Sequence, residues 1–292
     1  MDSALTTVGL PLALALIMFG LGLSLTVADF RRVGSHPRAV AVALLCQLLI
    51  LPVICFGLVL VLDLPPLLAI GMMLLAASPG GTTANLFSHL FHGDVALNIT
   101  LTAINSVVAV ATLPLITNLT IAYYDRGNTV AMPFIEVVKI FAIILVPVGI
   151  GMLVRDRLPG FAATMDRPVR IGSATVLAVL VLGILIDQRD NIADYLGQVG
   201  LATGLFCALS LTLGYYIPRA FGVRDAQAIA SSMEIGVHNG TLAIFIAVEI
   251  LDNVEVSVPA AVYSLFMFAF AALWGSILTR RLGSPAAETV HD

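Results

Sequence analysis

The feature that most constrains this chain is a series of nine long apolar segments separated by short polar breaks. A helix that crosses a bilayer needs about 20 mostly apolar residues, because each residue advances the helix by only about 1.5 Å. The segments cover residues 8–28, 39–62, 67–90, 95–117, 132–153, 171–187, 199–218, 226–249 and 259–279. Turn-forming residues separate them, as in Leu64-Pro65-Pro66, the 125–128 stretch and Pro159-Gly160. The sequence therefore predicts an all-α integral membrane protein with nine transmembrane helices.

The composition excludes several other classes of protein. Of the 292 residues, 59% are hydrophobic and 11% are charged, whereas a soluble domain is about 25% charged. Acidic residues outnumber basic residues by 18 to 14 and no basic stripe occurs, so no nucleic-acid partner is expected. The three cysteines lie inside apolar runs, which is typical of packing residues and not of a disulfide scaffold.

The basic residues predict an orientation. If the N-terminus is outside, 11 of the 14 basic residues fall in cytoplasmic segments, as the positive-inside rule requires. These residues are Arg31, Arg32, Arg38, Arg155, Arg157, Arg167, Arg170, Arg219, Arg224, Arg280 and Arg281. The outer loops then hold Arg126 and Arg189, and Lys139 lies within a span. We expect a multi-pass protein of the cell (inner or plasma) membrane with a cytoplasmic tail at residues 283–292.

Two of the predicted spans carry polar and helix-breaking residues at their centres. The third span contains SPGGTTAN at 78–85, and the eighth contains MEIGVHNGT at 233–241. Proline removes a helix donor and clashes with the preceding turn, and glycines loosen the backbone. Unwound backbone at membrane depth is tolerated only where protein or a watery cavity satisfies its polar groups. Both segments are therefore candidates for a binding site.

The two interrupted spans hold equivalent positions in the chain. Each is the second to last of its group, when spans one to four and five to nine are compared, and the two run in opposite directions. This arrangement predicts an inverted repeat that lacks one helix at its start, and such paired interruptions mark the binding site of secondary transporters. Glycine kinks that serve only close helix packing are the alternative.

Several polar side chains fall within the spans. Glu234 is the one acidic residue near a span centre, where an ionisable group costs roughly 2.5–3.5 kcal/mol on insertion scales. It is a functional candidate, with a protonated or paired structural glutamate as the alternative. Gln47 is either a ligand or an interhelical hydrogen-bonding residue. A polar stripe on the fourth span, at helical spacing, is either a site or a packing seam; its residues are Asn98, Thr102, Asn105 and Ser106.

These candidates form a set rich in oxygen atoms. Alkali cations prefer oxygen ligands, whereas transition metals prefer thiolate or imidazole, and no cysteine or histidine pair has zinc-binding spacing. Interrupted helices also present N-termini, whose N–H groups and positive dipole ends favour anions. The chemistry therefore predicts a cation and an organic anion bound together in the middle of the membrane.

The same motifs resemble those of the bile acid:sodium symporter family. The resemblance rests on SPGGTTAN at 78–85, HGDVAL at 92–97 and EIGVHN at 234–239, with MFGLGL at 18–23 and Gln47 before Leu51-Pro52. It extends from about Pro11 to Arg281. It implies two inverted five-helix repeats, with nine helices when the first is absent, as here. A panel domain would comprise residues 1–38 and 128–198. A core domain would comprise 39–120 and 199–282, with the broken helices 67–90 and 226–249 crossing inside it.

The resemblance also implies which residues bind. One sodium site would use Asn85, Asn98, Thr102 and Glu234, next to the backbone of Ala84. A second would use Gln47, Glu234, His238 and the carbonyl groups of Ile235 and Val237. The substrate would lie beside Thr82, Thr83, Asn239 and Gly240.

The chain departs from the family pattern at three of these positions. The family usually has serine at Ala84, a hydroxyl residue at Asn98 and glutamine at His238. An amide oxygen can replace a hydroxyl at Asn98, but Ala84 offers only its backbone, and an imidazole is a poor sodium ligand. Because histidine titrates near neutral pH, proton coupling through Glu234 and His238 is the alternative to sodium coupling.

The sequence thus predicts a secondary active transporter that imports a small organic anion with Na⁺, or alternatively H⁺, by alternating access around the crossing helices. We expect no enzymatic activity, no cofactor and no transition metal; the expected partners are the substrate and the lipid bilayer. Three other functions are open: a metalloid or cation exporter, an intramembrane enzyme using Ser78 with His238, and a membrane sensor. The lack of a thiol near either interruption argues against an exporter that binds arsenite. The lack of a cytoplasmic output segment argues against a sensor.

Overall fold

The computed structural model describes residues 10–124, 134–187 and 192–282, and within these ranges every regular element is a helix. In chain order the α-helices are α1 (Leu10–Ser24), α2 (Val27–Arg31), α3 (Pro37–Leu45), α4 (Leu51–Val61), α5 (Pro66–Ala77), α6 (Thr82–Leu90), α7 (Val95–Tyr124), α8 (Phe134–Arg157), α9 (Pro159–Asp187), α10 (Ile192–Ala220), α11 (Asp225–Gly236), α12 (Gly240–Phe245) and α13 (Val254–Leu282). A π-helical turn, Cys46–Ile50, joins α3 to α4, and a second, Ile246–Ile250, follows α12. The predicted turn at 125–128, the loop residues Arg126 and Arg189, and the tail 283–292 lie outside the described residues.

Four of the described helical stretches are long and apolar enough to cross a bilayer: Pro37–Val61, Val95–Tyr124, Asp194–Ala220 and Val254–Leu282. A fifth is obtained if Leu14–Ser24 and Val27–Gly34, which are bent by 69°, count as one span. Pro66–Ala77 and Gly240–Ile250 are apolar but shorter. The chain is therefore all-helical with the hydropathy of a membrane protein, and the number of nine spans stays a prediction.

The structure differs from the sequence-based boundaries at the first and sixth spans. Where one span over 8–28 was expected, α1 and α2 meet at a bend, because Asp29 Oδ2 accepts hydrogen bonds from Thr26 N (2.8 Å) and Thr26 Oγ1 (2.7 Å) and so starts a new helix. The sixth span was expected from residue 171, with a turn at Pro159-Gly160, but both of these residues lie in the first turn of α9, which begins at Pro159. Proline is favoured in a first helical turn, where its missing N–H has no partner to lose.

Two groups of helices are distinguished by their packing. α1 packs on α8 and α9, and the helices approach closely at Gly22, where a Cβ would overlap the Val148 carbonyl oxygen and lie 2.9 Å from the Cα of Gly151. In the other group, α5 packs on α4, α7 and α13, while α11 packs on α6, α7 and α10. The second group surrounds both interruptions in the helices and therefore positions the candidate site.

Candidate functional site

The two predicted interruptions are present, and they contact each other. Residues 78–81 separate α5 from α6, and residues 237–239 separate α11 from α12. These two segments, called the crossover below, run antiparallel: Gly81 N donates to Val237 O and Asn239 N donates to Pro79 O, each at 2.8 Å. The backbone groups freed by one interruption are thus partly satisfied by the other, as buried backbone in a membrane requires.

The first interruption follows from local chemistry. Ser78 precedes a proline, which disfavours the helical conformation, and Ser78 is indeed extended at φ −71° and ψ 141°. Its hydroxyl donates back to the Leu74 carbonyl oxygen at 3.0 Å. Gly80 is needed for close approach, because a Cβ there would overlap the carboxyl group of Glu234. A short segment of sequence therefore both ends α5 and admits the carboxylate.

The second interruption contains no proline and depends on side chains. Asn239 Oδ1 accepts a hydrogen bond from Leu242 N at 3.1 Å and so caps α12. Tyr263 on α13 donates its hydroxyl to the Gly236 carbonyl oxygen at 2.9 Å, at the end of α11. These bonds satisfy helix-terminal groups that would otherwise be buried without partners.

Glu234 is the central charged group of the site. Its side chain is fully buried, and its two oxygens accept hydrogen bonds from Thr102 Oγ1 (2.5 Å) and Asn105 Nδ2 (3.2 Å), both on α7. Among the described residues, no basic side chain forms an ion pair with it. A buried carboxylate with only neutral partners is stable if it is protonated or if a cation lies beside it.

Amide oxygens lie on the helices around this carboxylate. The Oδ1 atoms of Asn85, Asn98 and Asn105 are buried and accept no hydrogen bond from any residue that the structure describes. Asn98 is held by Nδ2, which donates to the Ala230 carbonyl oxygen at 2.7 Å. Because buried polar atoms nearly always have a partner, and hard cations coordinate oxygen, these atoms are suited to an alkali cation.

The structure therefore brings together much of the first predicted sodium set. Thr102 donates its hydroxyl proton to Glu234, and Thr102 Oγ1 also lies 3.0 Å from the Asn98 carbonyl oxygen one turn away. Asn85 lies on α6, which packs on both α7 and α11. Ala84 is fully buried, and because its side chain is a methyl group, only its backbone carbonyl could serve as a ligand.

Two side chains of the second predicted sodium set meet at the Ser78 carbonyl oxygen and not at the Glu234 carboxylate. Gln47 Nε2 and His238 Nδ1 both lie 3.1 Å from the Ser78 carbonyl oxygen. Because a carbonyl only accepts, His238 Nδ1 must carry its proton. Neither side chain hydrogen-bonds to Glu234 within the described ranges, and the Val237 carbonyl already accepts from the crossover. Ile235 is buried in the last turns of α11.

The same contacts give no support to the alternative catalytic pair, Ser78 with His238. His238 meets the carbonyl oxygen of Ser78, while the Ser78 hydroxyl donates to the Leu74 carbonyl oxygen. Nucleophilic catalysis requires a hydrogen bond between the serine hydroxyl and the imidazole. In this structure the two groups are not hydrogen-bonded to each other.

The predicted substrate residues lie at the ends of the half-helices. Thr82 and Thr83 begin α6 and are partly exposed, and Gly81 before them provides no side-chain cap. Asn239 is 8% exposed and is occupied in capping α12. Gly240 faces α13, since a Cβ there would overlap the Ser264 hydroxyl. The N-terminus of α6 is thus more accessible than that of α12.

Three residues of the site were missed or left undecided by the sequence. Asn105 was part of the polar stripe, and its spacing from Thr102 placed it on the correct face, but nothing indicated its contact with Glu234. Phe206 stacks on the His238 ring at 5.6 Å between centroids, and Tyr263 meets it edge-on at 5.4 Å. Both aromatic residues lie in apolar runs, where a site residue and a packing residue look alike.

An all-helical fold with interrupted helices that cross at a buried carboxylate is typical of a membrane transporter. Residues 11–195 match the model of the Sodium Bile acid symporter family. Since this match covers more than half of the chain, the chain belongs to that family of membrane-embedded, multi-pass transporters. The resemblance noted in the sequence motifs is thereby confirmed.

Individual relatives have similar levels of identity. The chain is 28% identical to the human "Ileal sodium/bile acid cotransporter" over 270 residues, which is 91% of this chain and 77% of the relative. It is 28% identical to "Probable sodium/metabolite cotransporter BASS1, chloroplastic" of Arabidopsis thaliana over 269 residues, 89% of this chain. It is 25% identical to "Uncharacterized sodium-dependent transporter YocS" of Bacillus subtilis (strain 168) over 253 residues, covering 87% of this chain and 77% of that relative. The chain spans only 65% of the length of the Arabidopsis relative.

Proposed function

We propose that this chain is a secondary active transporter that couples Na⁺ to the import of a small organic anion. The observation that carries the proposal is the fully buried Glu234 carboxylate, whose hydrogen-bond partners Thr102 and Asn105 are both neutral. A cation beside the carboxylate would balance its charge, and the surrounding amide oxygens are ligands that Na⁺ accepts. The printed names of three relatives also specify sodium.

The substrate site is proposed at the N-terminus of α6. The peptide dipoles of α6 place partial positive charge at that end, and its first N–H groups have no side-chain cap. Thr82 and Thr83 add two partly exposed hydroxyl groups, and Asn239 and Gly240 begin the facing half-helix. A carboxylate or sulfonate group suits this environment, so the proposed substrate class is an organic anion.

Alternating access is proposed to come from movement between two domains. The packing of α1 on α8 and α9 supports a panel domain of residues 1–38 and 128–198. The antiparallel contact of the interruptions supports a core domain of residues 39–120 and 199–282 built as an inverted repeat, and the hydropathy pattern of the sequence supports nine spans in all. Rocking of one domain against the other would open the crossover to each side in turn. The proposed location is the plasma membrane, and the arginine distribution supports an external N-terminus there.

Thermal unfolding of the purified full chain in detergent tests the role of Glu234. A ligand that binds only the folded state stabilises it by about 2.7 kcal/mol when its concentration is 100 times Kd. We expect NaCl, but not choline chloride at equal ionic strength, to raise the Tm of the wild type by several degrees. Glu234→Gln removes the charge but keeps the shape, and it should abolish this shift while the Tm in choline stays close to the wild-type value. A sodium-dependent shift retained by Glu234→Gln would contradict the assignment.

A proton is the second candidate for the coupling ion, because a buried carboxylate with neutral partners is also suited to protonation. In that case NaCl would leave the wild-type Tm unchanged, and acidification would stabilise the wild type but not Glu234→Gln. Once the sodium response is known, the same assay with a panel of organic acids, bile acids included, identifies the substrate class.

A further inference from the structure

A column of polar side chains extends from Glu234 away from the crossover, between α6, α7 and α11. Residues three or four positions apart share a face of a helix, and each helix places two or three polar residues on such a face. The residues are Glu234, Ser231 and Gln227 on α11, Asn105, Thr102 and Asn98 on α7, and Asn85 and Ser88 on α6. The column leads toward the start of α11, the end that the arginine distribution predicts to be cytoplasmic.

Several atoms of this column are buried without partners. Ser88 and Asn98 are 0% exposed, Ser231 is 1% exposed and Gln227 is 5% exposed. Ser88 Oγ, Ser231 Oγ, Asn98 Oδ1 and Gln227 Nε2 find no hydrogen-bond partner in the described part of the chain. The next serine on α11 behaves differently, since Ser232 Oγ donates to the Leu211 carbonyl oxygen at 2.6 Å and accepts from Trp274 Nε1 at 3.0 Å.

Close contacts join the three helices at this level. Asn98 Nδ2 donates to the carbonyl oxygen of Ala230, the neighbour of Ser231. Gly93, in the loop after α6, fits between helices: a Cβ there would lie 2.5 Å from Ser88 Oγ and 3.1 Å from Ala230 N. Ser88 and Asn98 therefore both lie close to the Ala230–Ser231 segment of α11, about one helical turn before Glu234.

We propose that Ser88 and Ser231, together with Asn98 of the first sodium set, form a second resting position for the coupling cation, on the way between Glu234 and the predicted cytoplasmic end of α11. This position is separate from the predicted set around Gln47 and His238. This proposal rests on the proposed sodium coupling. Uncharged oxygens bind Na⁺ more weakly than a carboxylate does, which suits a site from which the ion is released. Water satisfies the same atoms when the cation has left. The ion would leave between α6, α7 and α11, while the organic anion leaves from the N-terminus of α6.

Cysteine substitution tests this position without knowledge of the substrate. Ser231→Cys and Ser88→Cys would be treated with aminoethyl methanethiosulfonate, a small cationic thiol reagent, on the full chain in lipid nanodiscs. Ser232→Cys is the matched control, because it is equally buried on the same helix but faces α10 and α13. The wild type, whose three cysteines are buried, gives the background rate of reaction with the reagent.

We expect Ser231→Cys and Ser88→Cys to react at least tenfold faster than Ser232→Cys, and NaCl to slow both reactions severalfold relative to choline chloride. Reaction rates equal to that of Ser232→Cys, or rates that NaCl does not change, would overturn the proposal of a second resting position. The Tm of the wild type separates the two proposals. If NaCl raises that Tm through Glu234 but does not protect Ser231→Cys, only the second position fails. If NaCl neither raises the Tm of the wild type nor protects Ser231→Cys, the proposed sodium coupling fails together with the second resting position.

Discussion

Gly80→Ala tests how tightly the crossover is fitted to the carboxylate. A Cβ at Gly80 would overlap the carboxyl carbon and both oxygens of Glu234. The carboxylate would have to move away from Thr102 and Asn105, because Glu234 is fully buried in the last turn of α11. The adjacent Gly81 is the matched control.

The size of the effect follows from the hydrogen bonds that would be lost. A hydrogen bond to a charged group contributes about 1.5–3 kcal/mol, and each 1.4 kcal/mol changes an equilibrium constant about tenfold. Because the proposed Na⁺ site needs the carboxylate in this position, loss of one of the two bonds should weaken Na⁺ binding at least about tenfold, and loss of both at least about 100-fold. At Gly81 a Cβ would lie 3.5 Å from its nearest neighbours, and φ is −90°, which alanine adopts readily.

Titration of the Tm with NaCl, or direct binding of ²²Na⁺ to the purified chain, measures these affinities. We expect Gly80→Ala to shift the sodium midpoint by tenfold or more, and Gly81→Ala to stay within about twofold of the wild type. Equal sodium midpoints for the two variants would refute the reasoning that the Gly80 backbone and the Glu234 carboxylate form one fitted unit.

Two other substitutions have matched controls, the first in the same helix and the second in the facing helix α8. Thr102→Val removes the hydroxyl that donates to Glu234 and should weaken sodium binding about tenfold. Ser106→Ala removes only a hydrogen bond within its own helix and should leave the sodium midpoint unchanged. Equal effects of the two substitutions would contradict the assignment of Thr102 to the sodium site. Gly22→Ala should lower the free energy of unfolding by about 1–3 kcal/mol through overpacking against α8, measured by chemical denaturation, and Gly149→Ala, which has open space around it, should have little effect. Similar losses for both glycines would show that the contact between α1 and α8 is not close-packed.

Much of the site could be predicted because its causes are local. The Ser78-Pro79 dipeptide ends a helix by backbone sterics alone, and hydropathy places Glu234 at membrane depth without reference to any partner. The start of α9 at Pro159 was harder to predict, since the hydropathy of a span does not show how far its helix continues into a polar flank. The bend after α1 depends on a hydrogen-bonded cap at Thr26 and Asp29, which lies within an otherwise continuous apolar pattern.

The sequence by itself thus determined the membrane class, the two interruptions and the identity of the buried carboxylate, since each follows from hydropathy or from the chemistry of neighbouring residues. Only the tertiary structure decided which groups meet. Thr102 is separated from Glu234 by 132 positions, and His238 is separated from Ser78 by 160. A helical pattern shows which face of a helix is polar but not which face of another helix it meets. The pairing of Gln47 and His238 on one carbonyl oxygen was therefore visible only in the folded chain.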